Sequence, residues 1–132
     1  MNVGVVIVTH YRLGEEFLQA LRLIVPDAPP MRSVSVDPKQ PVDEMRKAIA
    51  DCLRAADTGE GVLVLTDMFG GTPTNLSLAF LSPQVELVTG VNLPMLIKLS
   101  QLRDGELREV ARQVRDRGRE SIYVAGEALE QG

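Results

Sequence analysis

Two stretches of this chain leave little choice of fold: Val3-Gly-Val-Val-Ile-Val-Thr9 and Val62-Leu-Val-Leu-Thr66. Neither contains a charge, and both are rich in β-branched side chains. A strand with one wet face alternates apolar and polar residues. A strand that is apolar throughout is covered on both faces, which is the situation of central strands in a parallel sheet flanked by helices. The segments between these runs have helical rather than strand periodicity. Leu13, Phe17, Leu18, Leu21 and Ile24 recur on one face of a helix over 13–24, with Glu15, Glu16 and Arg22 on the other. Pro26, Pro29 and Pro30 end that helix, and residues 31–36 form a short strand. Pro41 then opens a helix near its first position, with Val42, Met45, Ala48, Ile49, Cys52 and Leu53 as its apolar stripe.

The alternation continues beyond the second apolar run. A helix runs from Pro73 to about Leu81, a strand covers 85–89, and Asn92 caps a helix carrying Leu93, Leu96, Ile97 and Leu102. Residues 106–118 form a charged helix with the seam Leu107, Val110, Ala111 and Val114, followed by a short fifth strand over 121–124. This pattern gives an α/β fold in three layers: a mostly parallel sheet, helices on both faces, strand order 2-1-3-4 and the fifth strand at an edge. One domain over 1–126 and a flexible tail over 127–132 are expected, with no repeat or internal linker. In the order 2-1-3-4 the first and third strands are neighbours whose following helices leave on opposite faces. The crevice at their carboxyl ends is where such sheets bind ligands.

Both strand ends carry residues with chemistry. His10, the only histidine, follows the first apolar run, and Asp67 follows the third strand. His10 is either a polar strand end or a nucleophile, since imidazole is substantially uncharged near neutral pH. Asp67 is either a loop acid that bonds the next backbone N–H groups or the acceptor that orients His10, and its two oxygens allow both. Gly70 and Gly71 can take backbone angles closed to other residues, and Thr72-Pro73 reads as an N-cap and first helical residue. The free N–H groups and positive dipole end of such a helix start form an anion pocket. Without a Gly-Lys-Ser/Thr or a Gly-x-Gly-x-x-Gly, a small anion fits this turn better than a nucleotide. Arg12 is a solvated helix-start residue or a neutraliser of phosphate charge. Cys52 reads as core, and the mixed charges of 108–119 as a solvated face.

Composition removes several other classes. The chain has 132 residues, a net charge of −4 and 4% aromatic residues, which argues against a nucleic-acid binder. No apolar run approaches the roughly 20 residues that span a bilayer, and the N-terminus does not read as a signal peptide. A single cysteine excludes an internal disulfide, and one carboxylate with one histidine is too small a set for a metal site. A cytoplasmic protein without cofactor, metal or membrane insertion is the expectation.

Three motifs in order then carry a resemblance over nearly the whole chain. Val3-Gly-Val-Val-Ile-Val-Thr-His10, Thr66-Asp-Met-Phe-Gly-Gly-Thr-Pro-Thr-Asn75 and Thr89-Gly-Val-Asn-Leu-Pro-Met-Leu96 resemble the enzyme IIA domain of the mannose family of the bacterial phosphoenolpyruvate-dependent sugar phosphotransferase system. The resemblance implies a parallel α/β domain, commonly a homodimer, whose last strand joins the sheet antiparallel, in some members across the dimer. It implies that His10 accepts a phosphoryl group from the carrier protein HPr and passes it to a IIB component, expected here as a separate chain. It implies that Asp67 supports His10, and that Phe69, Gly70, Gly71 and Thr72 receive the phosphoryl oxygens. Tyr11 departs from the family pattern, which has a small residue, often glycine, after the histidine. Three other uses stay open: a regulatory protein switched by its phosphorylation, a donor module for dihydroxyacetone phosphorylation, and a plain ligand-binding module.

Overall fold

The computed structural model describes residues 2–102 and 104–130. Four strands, β1 (Gly4–His10), β2 (Arg32–Val36), β3 (Val62–Thr66) and β4 (Val85–Thr89), form one sheet in the order β2-β1-β3-β4. All three pairings are parallel, and Val8 of β1 lies between Val34 of β2 and Thr66 of β3. The six helices among the described residues are α1 (Leu13–Ile24), α2 (Val42–Ala56), α3 (Gly71–Leu78), α4 (Leu93–Gln101), α5 (Leu107–Glu120) and α6 (Ala125–Glu130). None of them is long and apolar enough to cross a membrane.

The uninterrupted apolar runs are explained by what lies on each side of the sheet. Val5, Ile7, Leu63 and Leu65 point into one core, shared with Leu18 and Leu21 of α1, Leu96 and Leu99 of α4, and Val110 and Val114 of α5. Val6, Val8, Val62 and Val64 point into the other, against Met45, Ile49 and Leu53 of α2 and Leu76 of α3. Successive residues thus serve opposite cores, and each buried aliphatic side chain contributes roughly 1.5–3 kcal/mol. The helix after β1 packs in one layer and the helix after β3 in the other. The carboxyl ends of these two adjacent strands therefore open onto a common crevice.

Sequence and structure part company at the edges of elements. Leu13, Ile24 and Val42 continue the apolar patterns of α1 and α2 but are 48%, 52% and 47% exposed. They lie at helix ends, where the sheet offers no surface to cover them. Ala48 is exposed as well, because the seam of α2 runs through Met45, Ile49 and Leu53. The fifth strand expected over 121–124 is absent: these residues form no ladder, and Ile122, Tyr123 and Val124 are 75%, 73% and 66% exposed. Strand propensity is realised only against a neighbouring strand, and nothing among the described residues pairs with them. Beyond them, where a loose tail is expected from 127, Ala125–Glu130 winds into a helix with no buried residue.

Close packing makes two glycines unequal. A Cβ at Gly4 would overlap the backbone carbonyl of Ala56, whereas a Cβ at Gly118 would overlap the buried Met95 side chain, at Cγ as well as at its end. Gly4→Ala should therefore lower stability by about 1–3 kcal/mol. Gly118→Ala should cost less than Gly4→Ala, because the Met95 side chain can shift where a backbone carbonyl cannot and the helix regains up to about 1 kcal/mol in propensity. Urea unfolding of both variants checks the ordering, and equal losses would contradict it.

Candidate functional site

His10 is the last residue of β1, and Asp67 is the first residue after β3. Because the two strands are hydrogen-bonded neighbours, the residues meet despite lying 57 positions apart. The ring Nδ1 of His10 is 2.8 Å from Asp67 Oδ2, and the backbone N–H of His10 donates to the same oxygen at 3.0 Å. A carboxylate oxygen accepts, so Nδ1 carries the ring proton and Nε2 keeps its lone pair. The His10 side chain is 32% exposed and that of Asp67 only 12%. The acid is shielded while the imidazole is partly open to solvent. The other oxygen, Asp67 Oδ1, is buried and has no hydrogen-bond partner among the described residues.

Nε2 faces the start of α3. A Cβ at Gly71 would stand 3.1 Å from His10 Cε1 and 3.3 Å from Nε2, so only the bare backbone of glycine lets the helix come this near the ring. Gly70 and Gly71 have φ of 81° and 78°, angles that favour glycine. With these angles the helix begins earlier than the sequence predicts. Gly70 occupies the N-cap position, no side chain caps the helix, and Thr72 lies inside the first turn. The expected Thr72 cap is thus corrected: the two-glycine turn starts the helix at Gly71 without one. The first N–H groups of any α-helix lack intrahelical partners, so those of Gly71 and Thr72 are free for an anion beside His10. Phe69, next to this turn, is 78% exposed, and Thr72 is half-buried.

Two hydroxyls that the sequence does not single out complete the floor of the site. Thr66 and Thr74 are both fully buried, their oxygens are 2.7 Å apart, and Thr74 Oγ1 lies 2.5 Å from the Met68 carbonyl. The available signal was a threonine at each of two buried positions within an otherwise apolar setting. Buried Thr9 similarly accepts the Gly14 N–H at 2.8 Å and ties β1 to the start of α1. Between them, Tyr11 adopts φ 46°, with its N–H bonded to the Val36 carbonyl at 2.8 Å. The left-handed region costs a non-glycine residue roughly 1–2 kcal/mol, and the Tyr11 side chain is 56% exposed at the rim.

The remaining candidates are not part of this cluster. Arg12 is exposed and pairs with Glu15 of its own helix at 2.9 Å. Burial pushes the Cys52 thiol above its ordinary value, against the smaller opposing pull of the Arg32 charge, and so favours the protonated thiol. Asn92 does cap α4, accepting the Met95 N–H at 3.1 Å, as the sequence predicts.

Comparison with known proteins adds an independent line. A family model described as "PTS system fructose IIA component" matches residues 4–114. The mannose-specific EIIAB component of the phosphotransferase system of Escherichia coli is 26% identical over 126 residues, which is 92% of this chain and 39% of that protein. This chain thus spans about two fifths of that relative. The fructose-specific EIIA component of Bacillus subtilis is 35% identical over 72 residues, 52% of this chain and 49% of that protein. Among solved structures, a mannose/sorbose-specific IIA subunit from Enterococcus faecalis superposes with a TM-score of 0.85 at 26% identity, covering 94% of this chain and 95% of that one.

The two turn glycines should respond differently to substitution. Alanine at either position is strained by about 1–3 kcal/mol, but nothing lies within 4 Å of a Cβ at Gly70. Gly71→Ala should therefore shift the ¹⁵N resonances of the His10 ring, while Gly70→Ala leaves them near their wild-type positions. Identical ring spectra for the two variants would contradict the contact between Gly71 and the ring.

Proposed function

The chain belongs to the EIIA-man family of phosphotransferase-system IIA components, and from that membership we propose that it is a phosphocarrier with His10 as the phosphorylated residue. The observation that carries this reading is the division of labour on the imidazole. Nδ1 is committed to Asp67 at 2.8 Å, and Nε2 faces outward beside the start of α3. The Nε2 lone pair attacks the phosphorus of a donor phosphohistidine. The new N–P bond forms as the donor's N–P bond breaks, and the donor ring leaves with its electron pair. Nδ1 keeps its proton and donates it in a hydrogen bond to Asp67, whose charge stabilises the positive charge that grows on the ring. The N–H groups of Gly71 and Thr72, with the turn at Phe69 and Gly70, receive the equatorial oxygens, so catalysis is positioning and charge stabilisation.

HPr as the donor and a IIB component as the acceptor follow from the same reading. The rim supports partners that are proteins rather than small molecules: Tyr11, Leu13, Met68 and Phe69 are large apolar side chains left 48–78% exposed within three residues of His10 or Asp67. Transfer from labelled phosphoenolpyruvate through enzyme I and HPr tests the assignment. Wild type should acquire an acid-labile, alkali-stable label and His10→Ala none. Asp67→Asn should slow labelling by about 100-fold, the lower range of what a positioned proton partner contributes. An unlabelled wild type, with active enzyme I and HPr, would sink the carrier reading.

We also propose a homodimer. β4 is an edge strand, and a groove of about 420 Å³ runs along it from Phe69 to Arg108, Arg112 and Arg115. The exposed Ile122, Tyr123 and Val124 supply an apolar, strand-prone segment for that unpaired edge in a second copy. Sedimentation equilibrium should give a dimer mass for wild type and a monomer for the double variant Ile122→Glu, Val124→Glu. A monomeric wild type at micromolar concentration would overturn the pairing.

A further inference from the structure

We propose that Thr74 is a positioning residue for the His10–Asp67 pair: its hydroxyl holds the Met68 carbonyl on one side of Asp67 and the Thr66 hydroxyl on the other, and so aims the carboxylate at the imidazole. The clamp has a fixed direction. The Met68 carbonyl can only accept, so the single proton of the Thr74 hydroxyl goes to it at 2.5 Å. The Thr66 hydroxyl, 2.7 Å away, is then the donor to Thr74. The bonded partners are residues 66 and 68, the two neighbours of Asp67. Thr66 and Thr74 are both 0% exposed, so water does not compete for either bond.

The peptide that enters Asp67 is held by the Val91 N–H on the Thr66 carbonyl at 2.9 Å, but the Asp67 side chain and the peptide that leaves it have fewer anchors. Oδ2 receives both contacts from His10, and Oδ1 is buried without a partner among the described residues. No further donor therefore fixes the rotation of the carboxylate, and its aim is set by its own backbone. The next two side chains give no anchorage either, since Met68 and Phe69 are 53% and 78% exposed. Thr74 lies on α3, the helix whose first residue, Gly71, abuts the Nε2 side of the ring. A single hydroxyl thus sets the acid on the Nδ1 side in register with the helix start on the Nε2 side. Small misplacements at a reacting centre are costly, which gives the clamp its functional weight.

The inference rests on the phosphocarrier reading, and its test separates the two. Thr74→Val preserves shape and removes the hydroxyl, whereas Thr74→Ser restores it. The first readout is the His10 ring ¹⁵N spectrum of the unphosphorylated protein, which reports whether Nδ1 keeps its proton. Thr74→Val should lose the single Nδ1–H tautomer and Thr74→Ser should keep it. The second readout is the rate of His10 labelling from phospho-HPr. It should fall about 10- to 100-fold in Thr74→Val and recover in Thr74→Ser. In an Asp67→Asn background, Thr74→Val should have almost no further effect on that rate, because Thr74 acts through Asp67. A wild-type ring spectrum in Thr74→Val, or full additivity with Asp67→Asn, would reduce Thr74 to a structural role. Thr66→Val keeps the Thr74–Met68 bond and covers the case in which Thr74→Val does not fold. It should give intermediate losses, and unchanged values would equally overturn the clamp. Absence of label on wild type would refute the carrier reading, while the ring spectra would still decide the clamp.

Discussion

One carboxylate oxygen, Asp67 Oδ2, accepts two hydrogen bonds from a residue 57 positions away, from the backbone N–H and from the ring of His10. The backbone contact fixes where the strand ends, and the ring contact fixes which nitrogen is left free. Both require β1 and β3 to be adjacent and parallel, so that their carboxyl ends finish side by side. That adjacency in turn requires helices on both faces, because strands that are apolar on every position cannot face water. The site is thus a consequence of how the sheet is covered, and the two cores on either side of it hold the pair together.

The rest of the site consists of close backbone approaches. Gly71 places the start of α3 so near the imidazole that an added Cβ would stand 3.1 Å from the ring and crowd it. Tyr11 accepts a left-handed angle immediately after His10, secured by its bond to Val36. Strain of this kind persists only where the surrounding structure over-determines it, and it concentrates at functional turns. Here it places an aromatic side chain on the rim that a protein partner of His10 would meet.

Much of this was legible before any coordinates. The spans of β3, β4 and α1 follow directly from apolar runs, proline punctuation and helical periodicity. So does the order β2-β1-β3-β4, and with it the meeting of His10 and Asp67. The details that differed lie where local pattern competes with context. Thr72 has the chemistry of a cap, but two glycines with positive φ begin the helix one residue ahead of it. Ile122, Tyr123 and Val124 have the composition of a strand, but a strand needs a partner. Thr66 and Thr74 looked unexceptional, since the value of a hydroxyl depends on which buried atom lies within reach.

The sequence by itself determined the fold class, the strand that ends in His10, the loop that begins with Asp67 and the two-glycine turn beside them. These depend on periodicity and on intrinsic backbone preferences, which are properties of a few neighbouring residues. Tertiary structure alone decided that Nδ1 is the ring nitrogen turned to Asp67, that Gly71 lies beside Nε2, and that Thr74 reaches both neighbours of Asp67. Those are distances between atoms far apart in the chain. They are set by how tightly two cores close on one sheet, and no local pattern in the sequence encodes them.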